Sequence, residues 1–314
     1  MVRHEKIKLG FAGTPEIAFA HFKHLFSDQN LDIKFVLTQP DKKSGRGLIK
    51  SKGFFGNLEK KLPVFQPLNL NDETILNSLR NIEIDLLVVV AYGKILPEWL
   101  LKYPKFGCLN VHFSLLPKWR GAAPIQRSIA NGDKVSGISF MKIVNKLDAG
   151  PIYASFNVDI EGKDFYQAEK QLLETSLENI SGLIHEIAIN KLEPKEQDHK
   201  AATFAEKINY NDALIDWNCS ALEIKNNYLA LKKWPVLSFK FNGENVQIHD
   251  LEIEPTEIAK PGVVSDFTKN SLDVYCSDGI IKIKSVKFPG KKVISSIDFF
   301  NAKRDIISTG DILI

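Results

Sequence analysis

The sequence has few cysteines, and Cys108, Cys219 and Cys276 stand far apart without forming a C-x-x-C pair. An odd number at such spacings predicts neither a disulfide framework nor a zinc site. No apolar run approaches the roughly 18 residues that a membrane span requires. Because a strand-like run, Ile7–Ala12, begins close to the first residue, we expect no signal or transit peptide. These absences predict a cytoplasmic protein that does not cross a membrane.

The sequence also lacks a strong charge of either sign. Lysine and arginine number 41 against 38 aspartate and glutamate, a net charge of +3. That balance predicts no nucleic-acid partner unless basic residues cluster in space. The composition, 44% hydrophobic and 25% charged, excludes a disordered chain. At 314 residues the chain exceeds the usual size of one hydrophobic core, so we expect two domains.

The first half of the chain alternates short apolar runs with helical patterns, which is typical of parallel strands joined by crossover helices. We therefore predict an α/β fold with a Rossmann-like, mostly parallel sheet. Thr14 is the expected N-cap of the first helix, with Pro15 at its first position. The predicted strands are Ile7–Ala12, Ile33–Leu37, Asp85–Ala91, Cys108–His112, Val135–Ile143 and Ile152–Val158, and a long helix is predicted over Phe165–Ile189.

A second domain is predicted after a polar segment without periodicity. We read residues 1–189 as a catalytic domain, 190–207 as a linker and 208–314 as the C-terminal domain. That last domain begins with a helix over Ala221–Leu231. Turn signals then occur at Asn242-Gly243 and Asp278-Gly279, between short strands. Such strands predict a small β-barrel.

The densest chemistry lies at the end of the strand Cys108–His112. Asn110 and His112 share one face of that strand, so both can address one bound atom. The carboxyl ends of strands are where open α/β sheets bind ligands. Asp148 follows a later strand, in a turn before Gly150. Each residue also has a structural interpretation: a hydrogen-bonded histidine, a turn-forming asparagine and an Asx-turn aspartate.

Taken together, these residues resemble a known family. Asn110-x-His112-x-Ser114-Leu115-Leu116-Pro117, then Arg120-Gly121 and Leu147-Asp148-x-Gly150, is similar to the signature of the folate-dependent formyltransferases. The resemblance implies that Asn110, His112 and Asp148 are catalytic, and that 10-formyltetrahydrofolate is the co-substrate. It also implies that the folate site is lined by Ser114, Leu115, Leu116 and Pro117.

The chemistry of formyl transfer suits the three polar residues. An amine that attacks a formyl carbon creates a negative oxygen, and the Asn110 amide is a neutral donor for it. His112 can donate to the same oxygen when protonated, or carry the proton that the amine releases. Asp148 would favour the protonated imidazole or relay that proton through water. We expect no metal, and we interpret His21 and His24, three apart on a predicted helix, as a surface or boundary feature.

The acceptor amine is not decided by these residues, because members of the family act on glycinamide ribonucleotide, amino-sugar nucleotides or the methionine of initiator tRNA. Other segments, among them Trp119–Arg127 and Ile215–Trp217, are similar to the branch that formylates initiator methionyl-tRNA. That branch has an OB-like β-barrel as its C-terminal, tRNA-binding domain.

Two basic segments fit a tRNA partner. Residues 41–52 contain five cations, among them Lys42, Lys43, Arg46 and Lys50, against the single acid Asp41. A solvated surface loop is the alternative interpretation. Between Gly279 and Ile297 there is no acid, and Lys282 and Lys284, with Lys287 nearby, form a phosphate-contacting stripe on a predicted strand.

Three alternatives remain from the residues alone: an amino-sugar or nucleotide-amine formyltransferase, a non-catalytic RNA-binding module, and hydrolysis of formyl-folate by water. We expect a monomer. The sequence departs from the family pattern at Phe113, which is bulky beside the catalytic pair, and at Lys146, close to Asp148.

Overall fold

The structure is a computed structural model that describes residues 5–41, 43–44, 49–50, 53–56, 58, 62–257 and 260–313. It divides into two compact units, which we treat separately. The first contains Met1–Ala122, Gly137–Val158 and Gln171–Phe204; the second contains Ala123–Ser136, Asp159–Lys170 and Ala205–Ile314. The boundaries read from the sequence, 1–189, 190–207 and 208–314, stay a prediction. Within the described ranges, no helix has both the length and the apolar character needed to cross a bilayer.

Up to residue 205 the chain forms eleven strands and five helices in the described ranges. The strands are β1 (Ile7–Gly13), β2 (Leu31–Leu37), β3 (Lys43–Ser44), β4 (Ile49–Lys50), β5 (Val64–Phe65), β6 (Leu86–Val90), β7 (Cys108–His112), β8 (Arg120–Gly121), β9 (Val135–Lys142), β10 (Ile152–Asp159) and β11 (Phe204–Ala205). The helices are α1 (Glu16–Ser27), α2 (Glu73–Leu79), α3 (Glu98–Lys102), α4 (Pro124–Ala130) and α5 (Phe165–Ala188), with a 3₁₀ turn at His199–Ala201.

A seven-stranded sheet in the order β10-β9-β7-β6-β1-β2-β5 forms the centre of the first unit. β7, β6, β1, β2 and β5 are mutually parallel, whereas β7 pairs with β9 in the antiparallel sense. All five residues of β6 are buried, as expected for an apolar strand covered on both faces. The predicted mostly parallel α/β sheet is confirmed, and β7 has the predicted bounds.

The start of α1 differs from the prediction. The N-cap is Pro15 and not Thr14, and no side chain caps the helix. The Thr14 hydroxyl donates instead to the carbonyl oxygen of Tyr92, 3.1 Å away, and accepts from the Gln39 backbone N–H at 3.3 Å. A tertiary contact therefore takes the hydroxyl that local capping preference assigned to the helix.

The second unit contains an antiparallel sheet in the order β12-β13-β16-β15-β14, with β17 also paired to β16. Its strands curl into a half-barrel, which agrees with the predicted barrel-like domain. Its elements are a 3₁₀ turn (Tyr210–Ala213), α6 (Ala221–Ala230), β12 (Ser238–Phe241), β13 (Glu244–Pro255), β14 (Val264–Phe267), β15 (Leu272–Tyr275), β16 (Gly279–Lys287), β17 (Val293–Ser295) and α7 (Ser296–Lys303).

Both predicted hairpins occur in this sheet. Asn242 and Gly243 join β12 to β13 with φ values of 49° and 79°. Positive φ at both central residues is the geometry for which Asn-Gly is preferred. The turn with Asp278 leads from β15 into β16 at Gly279.

Candidate active site

Asn110 and His112 lie on β7, near the carboxyl ends of the parallel strands. Asn110 is opposite Val89 of β6 and Met141 of β9, and His112 is opposite Ser139. The Asn110 side chain is partly exposed. Among the residues that the structure describes, its amide has no hydrogen-bond partner. A partly exposed amide without a protein partner is available to donate to a bound ligand.

The His112 ring is buried between two acceptors. Its Nε2 lies 2.8 Å from the carbonyl oxygen of Trp119, and its Nδ1 lies 3.8 Å from Asp148 Oδ2. A carbonyl oxygen only accepts, so Nε2 carries a proton. Nδ1 is then the nitrogen that can exchange a proton with the carboxylate. The predicted proximity of His112 and Asp148 is present in the structure.

Asp148 lies in the loop between β9 and β10, with a φ of 43°. Its Oδ2 accepts a hydrogen bond of 2.8 Å from the backbone N–H of Gly121. Gly150 brings this loop against β9: a Cβ at that position would lie 1.8 Å from the carbonyl oxygen of Lys142. Only glycine permits so close an approach, which explains the Asp148-x-Gly150 spacing.

The segment expected to line a folate site is held against β9. The Ser139 hydroxyl donates to the Ser114 carbonyl oxygen at 2.8 Å and accepts from the Leu116 backbone N–H at 3.0 Å. Ser114 is buried and donates its own hydroxyl to the Lys118 carbonyl oxygen, and Leu116 is buried as well. Leu115 and Pro117 are partly exposed, so these two residues of the four have surface to offer a ligand.

The interpretation of His21 as a surface or boundary residue is wrong. Its ring is fully buried, with Nδ1 2.7 Å from the Ile17 carbonyl oxygen and Nε2 2.7 Å from the Ser176 hydroxyl. Burial lowers the pKa of His21 to about 4. Helical spacing could not reveal this, because the partner, Ser176, is 155 residues away. No group of three or more His, Cys, Asp or Glu suited to a metal is found in the described ranges.

The two departures from the family pattern lie near the predicted catalytic residues His112 and Asp148, which are 3.8 Å apart. The Phe113 ring is buried and packs edge-on against His21 of α1, with centroids 6.1 Å apart. The Lys146 side chain is exposed, while its carbonyl oxygen accepts from the Ala149 backbone N–H at 3.3 Å.

Sequence reasoning assigned no role to two buried polar residues beside this loop. Arg120 belongs to the Arg120-Gly121 motif, and Gln197 lies in the predicted linker. Gln197 donates to the carbonyl oxygens of Asp148 and Gly150, and accepts from Arg120. Periodicity gives no signal for a glutamine in a polar segment; the Arg120-Gly121 pair was the available clue.

The structure describes some of the residues predicted to contact tRNA and not others. Lys42 and Arg46 lie outside the described residues; Lys43 and Lys50 are opposite each other in the β3–β4 pair. On β16, Lys282 pairs with Glu254 and lies 3.8 Å from Asp273 Oδ2, and Lys284 lies 3.2 Å from Glu252. Neighbouring strands thus supply acids that residues 279–297 lack. Lys287 has no ion pair within the described part of the chain.

Residues 8–179 match the sequence profile described as formyl transferase, and residues 207–304 match the formyl transferase C-terminal domain. The chain belongs to the formyl transferase family. This formyl transferase is 39% identical to the methionyl-tRNA formyltransferase of Francisella philomiragia, over 95% of its own length and 96% of that protein. It is 35% identical to the methionyl-tRNA formyltransferase of Buchnera aphidicola (strain Tuc7), over 98% of its length and 100% of that protein.

A solved structure shares the fold of this formyl transferase. HypX from Aquifex aeolicus, crystallised in complex with tetrahydrofolic acid, superposes with a TM-score of 0.66 at 13% identity. The match covers 99% of this chain and 51% of HypX. At such low identity the likeness concerns the fold alone.

Proposed function

We propose that this formyl transferase moves the formyl group of 10-formyltetrahydrofolate onto the amino group of methionine carried by initiator tRNA. The observation that carries the proposal is the similarity to methionyl-tRNA formyltransferases, which extends over 95–98% of the chain and so includes the C-terminal domain. The tetrahydrofolic acid complex of the structurally similar HypX supports folate as the carrier.

Asn110 stabilises the oxygen of the tetrahedral intermediate in this proposal. The methionine nitrogen attacks the formyl carbon, and the carbonyl oxygen becomes negative until the bond from that carbon to the folate N10 breaks. The Asn110 amide is partly exposed and has no partner within the described part of the chain, so it needs no reorganisation before donating. A preorganised neutral donor of this kind accelerates acyl transfer by about 10²–10³.

His112 and Asp148 handle the proton in this proposal. The amine nitrogen loses one proton as the amide forms, and the folate N10 gains one as it leaves. The 3.8 Å between His112 Nδ1 and Asp148 Oδ2 lets the pair hold that proton in transit. Since Nε2 donates to the Trp119 carbonyl oxygen, the ring keeps its orientation while Nδ1 changes its protonation state.

We further propose that Ser114, Leu115, Leu116 and Pro117 form one wall of the folate site. Leu115 and Pro117 supply its contact surface, and the buried Ser114 and Leu116 fix the backbone. Contacts to tRNA phosphates are assigned to Lys42, Lys43, Arg46, Lys50, Lys282, Lys284 and Lys287. Because Lys282 and Lys284 are paired with acids, we expect them to contribute less than the residues of segment 41–52.

An acceptor panel tests the proposal. Purified protein is given 10-formyltetrahydrofolate with charged initiator tRNA, charged elongator methionyl-tRNA or an amino-sugar nucleotide, and the formylated product is measured. We expect rapid formylation of initiator methionyl-tRNA only. Formylation of the sugar without formylation of the tRNA would replace this function with the amino-sugar alternative. Tight tRNA binding without any product would support the non-catalytic RNA-binding module.

We also propose that the protein is a cytoplasmic monomer. The proposal extends to the domain boundaries: a catalytic domain over 1–189, a linker over 190–207 and a tRNA-binding domain over 208–314. Light scattering on the purified chain tests the monomeric state against the mass of one chain, 35.4 kDa. Limited proteolysis tests the domain boundaries, with cleavage expected inside 190–207.

A further inference from the structure

Gln197 connects a polar segment to the loop that carries Asp148. Its Nε2 donates to the Asp148 carbonyl oxygen at 2.9 Å and to the Gly150 carbonyl oxygen at 2.6 Å. Its Oε1 accepts from Arg120 Nε at 3.1 Å and from Arg120 Nη2 at 2.6 Å. Gln197 and Arg120 are both buried; the bond to the Asp148 carbonyl oxygen is partly buried, and the other three are buried.

The hydrogen-bond partners of Gln197 require an amide side chain at position 197. Arginine only donates and backbone carbonyls only accept, so a side chain that bridges them must accept at one end and donate at the other. Glutamine does both. Glutamate would still accept from Arg120, but it has no proton for the two carbonyl oxygens. Methionine has a similar size and replaces neither bond.

The contacts close a ring around Asp148. The backbone N–H of Gly121, which follows Arg120, holds Asp148 Oδ2 at 2.8 Å. The Arg120 side chain holds Gln197, and Gln197 holds the Asp148 carbonyl oxygen. Asp148 is thereby fixed through its carboxylate by Gly121 and through its backbone by Gln197, which Arg120 holds in turn. Its φ of 43° lies in the left-handed region, which aspartate adopts more readily than most residues and which these hydrogen bonds help to hold.

Arg120 is a buried cation with neutral partners. Its Nη2 also lies 2.9 Å from His199 Nδ1, which must be unprotonated to accept. In the part of the chain that the structure describes, Arg120 forms no ion pair with a carboxylate. A cation that is buried without a counter-ion is costly unless its hydrogen bonds are satisfied. Gln197 is therefore needed by Arg120 as well as by the Asp148 loop.

We propose that Gln197 is a positioning residue that sets the Asp148 carboxylate opposite His112, and that Arg120 acts through it. Neither side chain touches the reacting atoms in this account. The proposal rests on the function proposed for Asp148. Loss of the bridge would let the loop leave the left-handed conformation and move Oδ2 away from Nδ1.

The first test is the steady-state kinetics of Gln197→Met with initiator methionyl-tRNA and 10-formyltetrahydrofolate. We expect kcat to fall about tenfold to a hundredfold, the loss seen when outer supports of a reacting group are removed. KM for either substrate should change less than about threefold, since substrate surface is untouched. A kcat within twofold of the wild type, or a change confined to KM, overturns the proposal. Glu196→Met, at the exposed neighbouring position, is the matched control.

Gln197→Glu separates positioning from support of the fold. It keeps an acceptor, now charged, for Arg120 and removes the donor for the Asp148 and Gly150 carbonyl oxygens. We expect a thermal midpoint close to that of the wild type with a kcat as low as that of Gln197→Met. Recovery of kcat in Gln197→Glu would mean that the glutamine serves only Arg120, and the proposal would be wrong.

A double-mutant cycle with Asp148→Asn completes the test. If Gln197 acts through Asp148, adding Gln197→Met to Asp148→Asn lowers kcat by less than twofold. A double variant whose loss of kcat equals the product of the two single losses contradicts the proposal. The same cycle distinguishes the two levels of failure. Wild-type kcat in Asp148→Asn refutes the role proposed for Asp148 itself, whereas a large loss there with no loss in Gln197→Met refutes only the positioning role.

Discussion

The Asn110 amide differs from its neighbours on β7 in its availability to a ligand. Its neighbours on β7 are committed to the core or to hydrogen bonds, whereas its amide is partly exposed and, among the described residues, has no partner. A donor that is already bonded to protein would first have to break that bond. The Asn110 amide can therefore meet a developing oxyanion directly, and its removal should affect the transition state more than the substrates.

Asn110→Ala should lower the single-turnover rate of formylation by about 10²–10³ while folate binding changes only severalfold. The measurement is a single-turnover rate at saturating tRNA, together with the folate dissociation constant. Asn77→Ala, at an exposed position on α2, is the control and should react at the wild-type rate. A near-normal rate for Asn110→Ala would remove this residue from the mechanism.

His21 should make stability depend on pH. Its pKa in the folded state, about 4, is below the ordinary histidine value of 6.5 because the ring is buried. Between these pH values the unfolded chain binds more protons, so stability is fully present above pH 6.5 and is lost as pH falls towards 4. The full loss is about 3.5 kcal/mol, at about 1.4 kcal/mol for each pH unit between 6.5 and 4.

Urea unfolding at pH 7 and pH 4.5 measures this effect. The double variant His21→Met/Ser176→Ala replaces both hydrogen-bonding partners by apolar groups and should lose less stability between the two pH values than the wild type. His24→Met, one helical turn further on and partly exposed, should behave as the wild type. An equal loss in all three proteins would show that His21 does not set the acid limit.

The elements that sequence predicts best are those whose signal is local. β6 is a short apolar run, β7 alternates apolar residues with Asn110 and His112, and Asn242-Gly243 specifies its own turn, so their positions follow from neighbouring residues. The contacts of Thr14, His21 and Gln197 depend on partners far along the chain, and no local pattern encodes them. The same separation explains why Asn110 and His112 were paired from strand geometry, while Asp148 joined them only through the family resemblance.

The N-terminal cap of α6 makes a testable contribution to the stability of the protein. The Ser220 hydroxyl accepts from the Glu223 backbone N–H, and Glu223 accepts from the Ser220 backbone N–H, which forms a capping box. Ser220→Ala should lower the free energy of unfolding by about 1 kcal/mol. Lys225→Ala, on the exposed face of α6, is the control and should lie within about 0.5 kcal/mol of the wild type. Equal stabilities for both variants would mean that the box contributes nothing.

At the scale of the whole molecule, the placement of charged residues says more about tRNA binding than the net charge does. The net charge is +3, and the lysines of β16 that look like a basic stripe in the sequence face Glu252, Glu254 and Asp273 on adjacent strands. Segment 41–52 has one acid against five cations. Binding to tRNA phosphates should therefore depend on this segment more than on β16.

Arg46→Ala should weaken initiator tRNA binding and lower the slope of log affinity against log salt by about one, whereas Lys282→Ala should change that slope by much less. The measurement is a series of tRNA dissociation constants over about a sixfold range of salt, roughly 50 to 300 mM. Formylation of a small amine should be unchanged in both variants. A larger effect of Lys282→Ala would show that its pairs with Glu254 and Asp273 open on tRNA binding.

The proposed function requires that the formyl group is transferred to initiator methionyl-tRNA and not released to water. The most direct measurement follows a labelled formyl group of 10-formyltetrahydrofolate in a single turnover, and compares the label on tRNA with the tetrahydrofolate formed. Our account predicts one formyl-methionyl-tRNA for each tetrahydrofolate. Label recovered as formate, with unmodified tRNA, would contradict it and identify the protein as a hydrolase.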